Sequence, residues 1–232
     1  MAGWKNYLQS RWIPLFPLPR FVLFPGVGIP LHVFEGRYRR MMDDLISEPE
    51  TDRWLALVLL RDNHEHLYDT PEAPIHPVAC LSRLLKYERL SDGRYHIIVL
   101  GAARVCVLEE DHELPYRRIR AAPLAPPARE DAPTDASLKR LDDLLEKAVR
   151  AELIDADIAE QLDELRTEPQ QWVDTLAFHL MPPDESPLKQ RILDEPDPEV
   201  RADILARWTE SRLRRIESRP LITEWPPRPS MN

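Results

Sequence analysis

The chain has 232 residues, 43% of them apolar and 31% charged, the balance of a globular protein large enough to bury its own core. Two cysteines, Cys80 and Cys106, exclude a disulfide framework and a four-cysteine zinc site, and the longest aliphatic run, Leu55–Leu60, falls far short of the ~20 residues that span a bilayer. The net charge of −9 lies wholly in the C-terminal part, since residues 1–128 carry 16 basic and 16 acidic side chains and residues 129–232 carry 15 and 24, a balance that disfavours phosphate backbones.

Proline is the compositional outlier, 24 against 6 glycines, so stiff loops and edge strands are expected. Met1–Arg11 is short and polar, unlike a signal peptide, which points to the cytoplasm. Ile13, Leu15 and Leu18 lead through Pro14, Pro17 and Pro19 to Val22–Phe24 and a Pro25-Gly26 turn. Ile29, Leu31 and Val33 alternate with Pro30 and His32, as in a half-buried strand. Arg37–Ile46 reads as a short helix with Tyr38, Met41, Met42 and Leu45 on one side, and Leu55–Leu60 as a strand buried on both faces. Ser91-Asp92-Gly93-Arg94 predicts a hairpin with arms Val78–Leu90 and Tyr95–Leu100, because the turn requires positive φ. After Gly101 the pattern resumes at Val105, Val107 and Leu108, with a last strand around Tyr116–Leu124. Six or seven strands with one inserted helix imply a small barrel over residues 12–124.

Residues 125–133 read as a Pro-rich linker, and beyond them the period becomes helical. Leu138, Leu141, Leu144, Leu145, Ala148 and Val149 form one stripe, and a short segment Ile154–Leu165 follows. Thr167 and Gln170 have the spacing of a capping box before Trp172, Val173, Leu176, Ala177 and Leu180. Ser186-Pro187, with the hydroxyl at the N-cap and proline in the first turn, and Asp197-Pro198 look like the openings of two further helices. A helical bundle is thus expected over 134–218, with an extended tail over 219–232, and the fold class is α+β.

The chemistry-bearing motifs are sparse. The six glycines are too scattered for a phosphate cradle. His64-Glu65-His66, with Asp62, Asp69 or His76 nearby, is the nearest approach to a metal site, but the stretch reads as a solvated polar loop. Neither cysteine has a legible His–Asn/Asp setting, and no serine lies in G-x-S-x-G. No catalytic, cofactor-binding or metal-binding residue is assigned.

One stretch is specific. Ile13-Pro14-Leu15-Phe16-Pro17-Leu18-Pro19, Val22-Leu23-Phe24-Pro25-Gly26 and Ile29-Pro30-Leu31-x-Val33-Phe34-Glu35-x-Arg37-Tyr38 together resemble the opening of the Lon protease N-terminal domain family. The likeness continues through Val78-Ala79-Cys80-Leu81, Leu90-x-Asp92-Gly93 and Val99-x-Gly101-x-x-Arg104. It is fainter at Lys189-Gln190-x-Ile192-Leu193-Asp194 and Arg201, so that it covers residues 12–208. The resemblance implies a PUA-like β-barrel followed by a helical bundle. It also implies a region that helps recognise protein substrates and supports hexamer assembly in full-length Lon, which leaves self-association open. The Walker-type loop of the ATPase module and the Ser–Lys dyad of the peptidase module do not fit in this chain, so a non-enzymatic binder of unfolded or partly folded polypeptide is expected. Phe34, Glu35, Arg37 and Tyr38, at a strand-to-helix junction, are the candidate contact residues; a Glu35–Arg37 or Glu35–Arg104 ion pair is the bland reading of the same positions. Ala79 stands where the family usually has glycine, which would strain or remodel a bulge there. The alternatives are an RNA-binding barrel using Arg117, Arg118 and Arg120, and a small-molecule or metal-binding enzyme built around His64, His66 or His76.

Overall fold

In the computed structural model the described residues are 8, 11–68, 70, 72–124 and 132–218. The expected tail and all but the last two residues of the expected linker lie outside them. Six strands, β1 (Ile13–Leu18), β2 (Gly28–Val33), β3 (Trp54–Leu59), β4 (Val78–Arg89), β5 (Tyr95–Asp111) and β6 (Arg118–Pro123), enclose α1 (Gly36–Ser47) in the chain order. The second half contains α2 (Asp135–Arg150), α3 (Ala156–Asp163), α4 (Pro169–Leu180), α5 (Ser186–Asp194) and α6 (Pro198–Glu217).

The pairings run in a circuit, β1–β3–β4–β5–β6 and back to β1, parallel only between β1 and β3. The return link is short, Ile13 with Ile119 and Pro14 with Arg118, so the barrel is barely joined there. β5 is long enough to serve two partners: its first half pairs with β2 and its second half with β6, while β4 runs along both. Gly101 therefore does not end the hairpin arm as expected; the strand passes through it. The turn is as predicted, with Gly93 at φ +79° and its N–H donating to Leu90 O at 2.9 Å. Every residue of β3 is buried, which its uninterrupted apolar run requires. Val22–Phe24 is core without being strand.

Ala79 is fully buried opposite Val105, and the irregularities of β4 fall later, at Leu81/Ser82 and Leu84/Lys86. The described non-glycine residues with positive φ are Arg20, Asn63 and Glu152, so Ala79 sits in ordinary strand geometry and the expected strain is not there. In α1, Tyr38, Met41, Met42 and Leu45 are the buried residues. The hydroxyls of Tyr95 and Tyr116 donate to Asp43 and Asp44 at 2.5 and 3.0 Å, fixing the helix against β5 and the β5–β6 connection. Among the caps, Asp197 accepts from Glu199 N at 2.9 Å as expected. The Thr167–Gln170 box does not form, because α4 begins at Pro169 after a 3-10 turn over Glu164–Thr167. α5 opens at Ser186 with Pro187 in its first turn as expected, but behind the 3-10 turn Pro183–Glu185 the N-cap is Glu185, so the Ser186 hydroxyl is not the cap.

One apolar cluster runs from Phe24, Leu55 and Val99 in the barrel to Trp172, Leu176, Ile192 and Leu205 in the helices. The seam is made by α5. Gln190 Nε2 donates to Val78 O at 3.0 Å, and Lys189 Nζ donates to Phe178 O at 2.9 Å while lying over the Phe178 ring. Burial pulls the Lys189 ammonium down to about 8. Beside them Asp174, 2% exposed, accepts from Arg104 Nη2 at 2.6 Å and from Arg201 Nη1 at 3.1 Å through both oxygens. Arg104 Nε also donates to Leu193 O at 3.1 Å. Three elements, β5, α4 and α6, thus meet on one carboxylate.

Candidate functional site: an exposed face on β2, β5 and β4

Where β5 leaves the barrel circuit, β2 and the outer part of β4 flank it in a three-stranded antiparallel sheet. Alternation puts Tyr95, Ile97 and Val99 inside and His96 and Ile98 outside. The register aligns Pro30, Ile98 and Lys86 in one outward row and His32, His96 and Glu88 in the next. A shallow groove of about 630 Å³ crosses these rows and includes Tyr87 on its rim. It shares Leu31 and His32 with a second cleft of about 280 Å³ beside Phe34, floored by Phe16, Tyr38 and Tyr68. Phe34, just past the end of β2, is 61% exposed, and Ile98 on β5 is 38% exposed.

The four candidate contact residues fall into two groups. Phe34 stands in the open, its ring 6.0 Å from that of His32. Tyr38 is buried and tilted against Phe16 at 4.3 Å, and burial pushes its hydroxyl up to about 12. Glu35 and Arg37 are tied together: Arg37 Nε donates to Glu35 at 3.0 Å, and the guanidinium lies between the rings of Tyr38 and Tyr68 at 4.6 and 4.7 Å. The other Glu35 oxygen accepts from the Tyr68 hydroxyl at 2.5 Å. The ion pair read from the sequence is thus Glu35–Arg37, while Arg104 belongs to Asp174. Tyr68, 33 residues away, gave no sign of its part in the sequence. Tyr68→Phe is expected to lower stability by about 1.5 kcal/mol, the scale of a hydrogen bond to a charged group; urea denaturation reads this, and an unchanged midpoint would show that Arg37 alone holds Glu35.

The open edges discourage strand addition. Gly101 N–H donates to Val27 O at 2.9 Å; stepping by two, Ile29, Leu31 and Val33 turn their backbone groups to β5, and Pro30 and His32 turn theirs to the free edge. On β1, Leu15 N–H donates to Arg117 O at 2.8 Å, so two residues on Pro17 faces the side where β6 no longer pairs. Prolines supply no donor at either place. The face therefore offers its side chains more readily than its backbone.

The chemical alternatives meet specific obstacles. His64 and His66 lie around a 3-10 turn with near-parallel rings 6.4 Å apart, and His64 Nδ1 is engaged by Asp62 O. Asp69 lies outside the described residues. His76 is elsewhere, within electrostatic reach of Asp194, which also acts on Cys106. Burial raises the Cys106 thiol and pushes Cys80 up to about 12, the opposite of an activated nucleophile. Arg117, Arg118 and Arg120 are each within ion-pair distance of a β5 carboxylate, Glu110, Asp111 and Glu109. No helix among the described residues is long and apolar enough to cross a membrane.

Barrel and bundle together define a module of the α+β class. The chain belongs to the ATP-dependent protease La (LON) substrate-binding domain family, whose model matches residues 12–210. Two solved structures share the fold. The N-terminal domain of a Mycobacterium avium complex Lon protease aligns over 86% of this chain and 98% of its own, with a TM-score of 0.61 and 14% identity. A Lon N-terminal domain protein from Xanthomonas campestris aligns over 85% and 98%, with a TM-score of 0.56 and 20% identity. Among curated relatives, Lon protease 2 of Sorangium cellulosum is 28% identical over 83% of this chain, and the Lon protease of Chloroflexus aggregans 27% over 51%. The alignments span only 24% and 14% of those proteins, and the matched family domain is the substrate-binding one.

Proposed function

We propose that this chain recognises unfolded or partly folded polypeptide, docking apolar side chains of the bound segment on the outer face of β2, β5 and β4. The observation that carries this is the exposure of Phe34 and Ile98 beside two adjoining clefts, on strands β2 and β5 whose other face is core. Membership of a substrate-binding family supports it. The buried Tyr38 and the mutually paired Glu35 and Arg37 shape the floor of the Phe34 cleft, so Phe34 is the direct contact among the four residues read from the sequence.

The test is the binding of a reduced, alkylated and fluorescently labelled protein, followed by anisotropy. Phe34→Ser combined with Ile98→Ser should weaken binding by at least about tenfold, since burying one such side chain is worth about 1.5–3 kcal/mol. Leu108→Ser, at a residue 63% exposed on the far half of β5, should leave binding unchanged. Stability should move by no more than about 0.5 kcal/mol in any of them. Equal binding by the double variant and the parent chain would reject this face.

A further inference from the structure

We propose that His32 and His96 form a binding site for a late first-row divalent metal ion (Cu2+, Ni2+ or Zn2+), with Glu88 orienting His96. The two histidines are directly opposite each other in the β2–β5 register, at one of the positions where backbone hydrogen bonds point away from the partner strand. Such pairs bring the side chains closest. Both are exposed, and their ring centres are 4.9 Å apart. A metal held by two imidazole nitrogens at ~2.0–2.1 Å places the ring centres roughly 4.5–5.2 Å apart for ligand angles between square-planar and tetrahedral. The rings already have that separation, so binding requires rotation about the side-chain torsions and no movement of the backbone.

The third strand supplies the next shell. Glu88 is opposite His96 in the β4–β5 register, and its carboxylate lies 3.8 Å from His96 Nδ1. That is beyond hydrogen-bond length, but it places the carboxylate on the Nδ1 side of the ring and leaves Nε2 to face outward, the arrangement that usually backs a metal-bound imidazole once the bond closes. Among the described residues no three His, Cys, Asp or Glu side chains are grouped to hold a metal between them. The site therefore has two protein ligands, with water completing the shell, and imidazole donors favour Cu2+ most strongly. Phe34, its ring 6.0 Å from that of His32, walls one side. The contrast is the His64–His66 pair, closer in sequence, whose rings lie 6.4 Å apart and nearly parallel. This inference rests on the register of the sheet and is independent of polypeptide binding.

Cu2+ is titrated into the full chain in a weakly coordinating buffer and followed by calorimetry and frozen-solution EPR. The expected result is one tight equivalent whose hyperfine pattern shows two nitrogen ligands. His32→Ala and His96→Ala should each weaken it by about tenfold or more, since even an orienting partner is worth roughly 10–100-fold. Glu88→Gln should weaken it by about tenfold, and His64→Ala with His66→Ala should leave it intact. Far-UV circular dichroism confirms that each variant is folded. Parental affinity in either His32→Ala or His96→Ala, or loss in the His64/His66 double variant, overturns the site; parental affinity in Glu88→Gln overturns the orienting role.

Discussion

Asp174→Asn is expected to destabilise the fold by about 3–5 kcal/mol, the cost of removing one partner from a buried ion network. The substitution preserves shape and removes the one negative charge placed between Arg104 and Arg201. Arg201 is 3% exposed, and burial already lowers its guanidinium pKa against the pull of Asp174. Without the carboxylate, two cations would face each other out of water. A loss of this size corresponds to a fall in melting temperature on the order of 10 °C for a chain of this length. Replacing all three residues together, Asp174→Leu with Arg104→Met and Arg201→Met, should recover most of the loss, because apolar groups of similar volume often substitute for buried ion pairs at little cost. Urea denaturation of both variants decides the matter. A loss under about 1 kcal/mol in Asp174→Asn would mean that the network contributes nothing to joining barrel and bundle.

Gly101→Ala should cost about 3 kcal/mol or more, whereas Gly36→Ala should be neutral or stabilise by up to about 1 kcal/mol. The two glycines differ in what surrounds them. A Cβ on Gly101 would overlap the Phe24 carbonyl, which only movement of the backbone can relieve, and would lie 3.0 Å from Cys80 Sγ. A Cβ on Gly36 meets nothing within 4 Å, and Gly36 opens a helix. Gly101 also exchanges backbone bonds with the first loop: its N–H donates to Val27 O, and its carbonyl accepts from Gly26 N–H, both at 2.9 Å. Pushing the loop away would break this clasp and open the core at Phe24, which is fully buried. Comparable denaturation midpoints for the two variants would show that the loop yields without cost.

Much of this molecule is legible along the chain. Asp92-Gly93 announces its hairpin because the left-handed conformation is a local requirement. Tyr38, Met41, Met42 and Leu45 announce the buried side of α1 because their spacing is that of a helix. The two N-caps misread from the sequence, Thr167 and the Ser186 hydroxyl, both adjoin a 3-10 turn that precedes the helix and moves the cap to a neighbouring residue, although the helix opening at Ser186-Pro187 is itself legible. The motif letters Gly101, Arg104, Gln190 and Arg201 could be read as family signature but not explained. Their partners, Phe24, Asp174 and Val78, lie tens of residues away, and no local period points to them.

The exposed face shows the same division. The alternation from Tyr95 to Leu100 by itself determined that His96 and Ile98 share one side of a strand, just as Pro30 and His32 share a side of theirs. Whether that side is covered is settled elsewhere, by β5 changing partner from β2 to β6 and by the helices packing against other parts of the barrel. Only the tertiary structure placed His32 opposite His96, with Phe34 beside them and uncovered. Side-chain direction follows from the local backbone, whereas register and coverage depend on pairings between segments far apart in the chain, which no periodicity within either segment encodes.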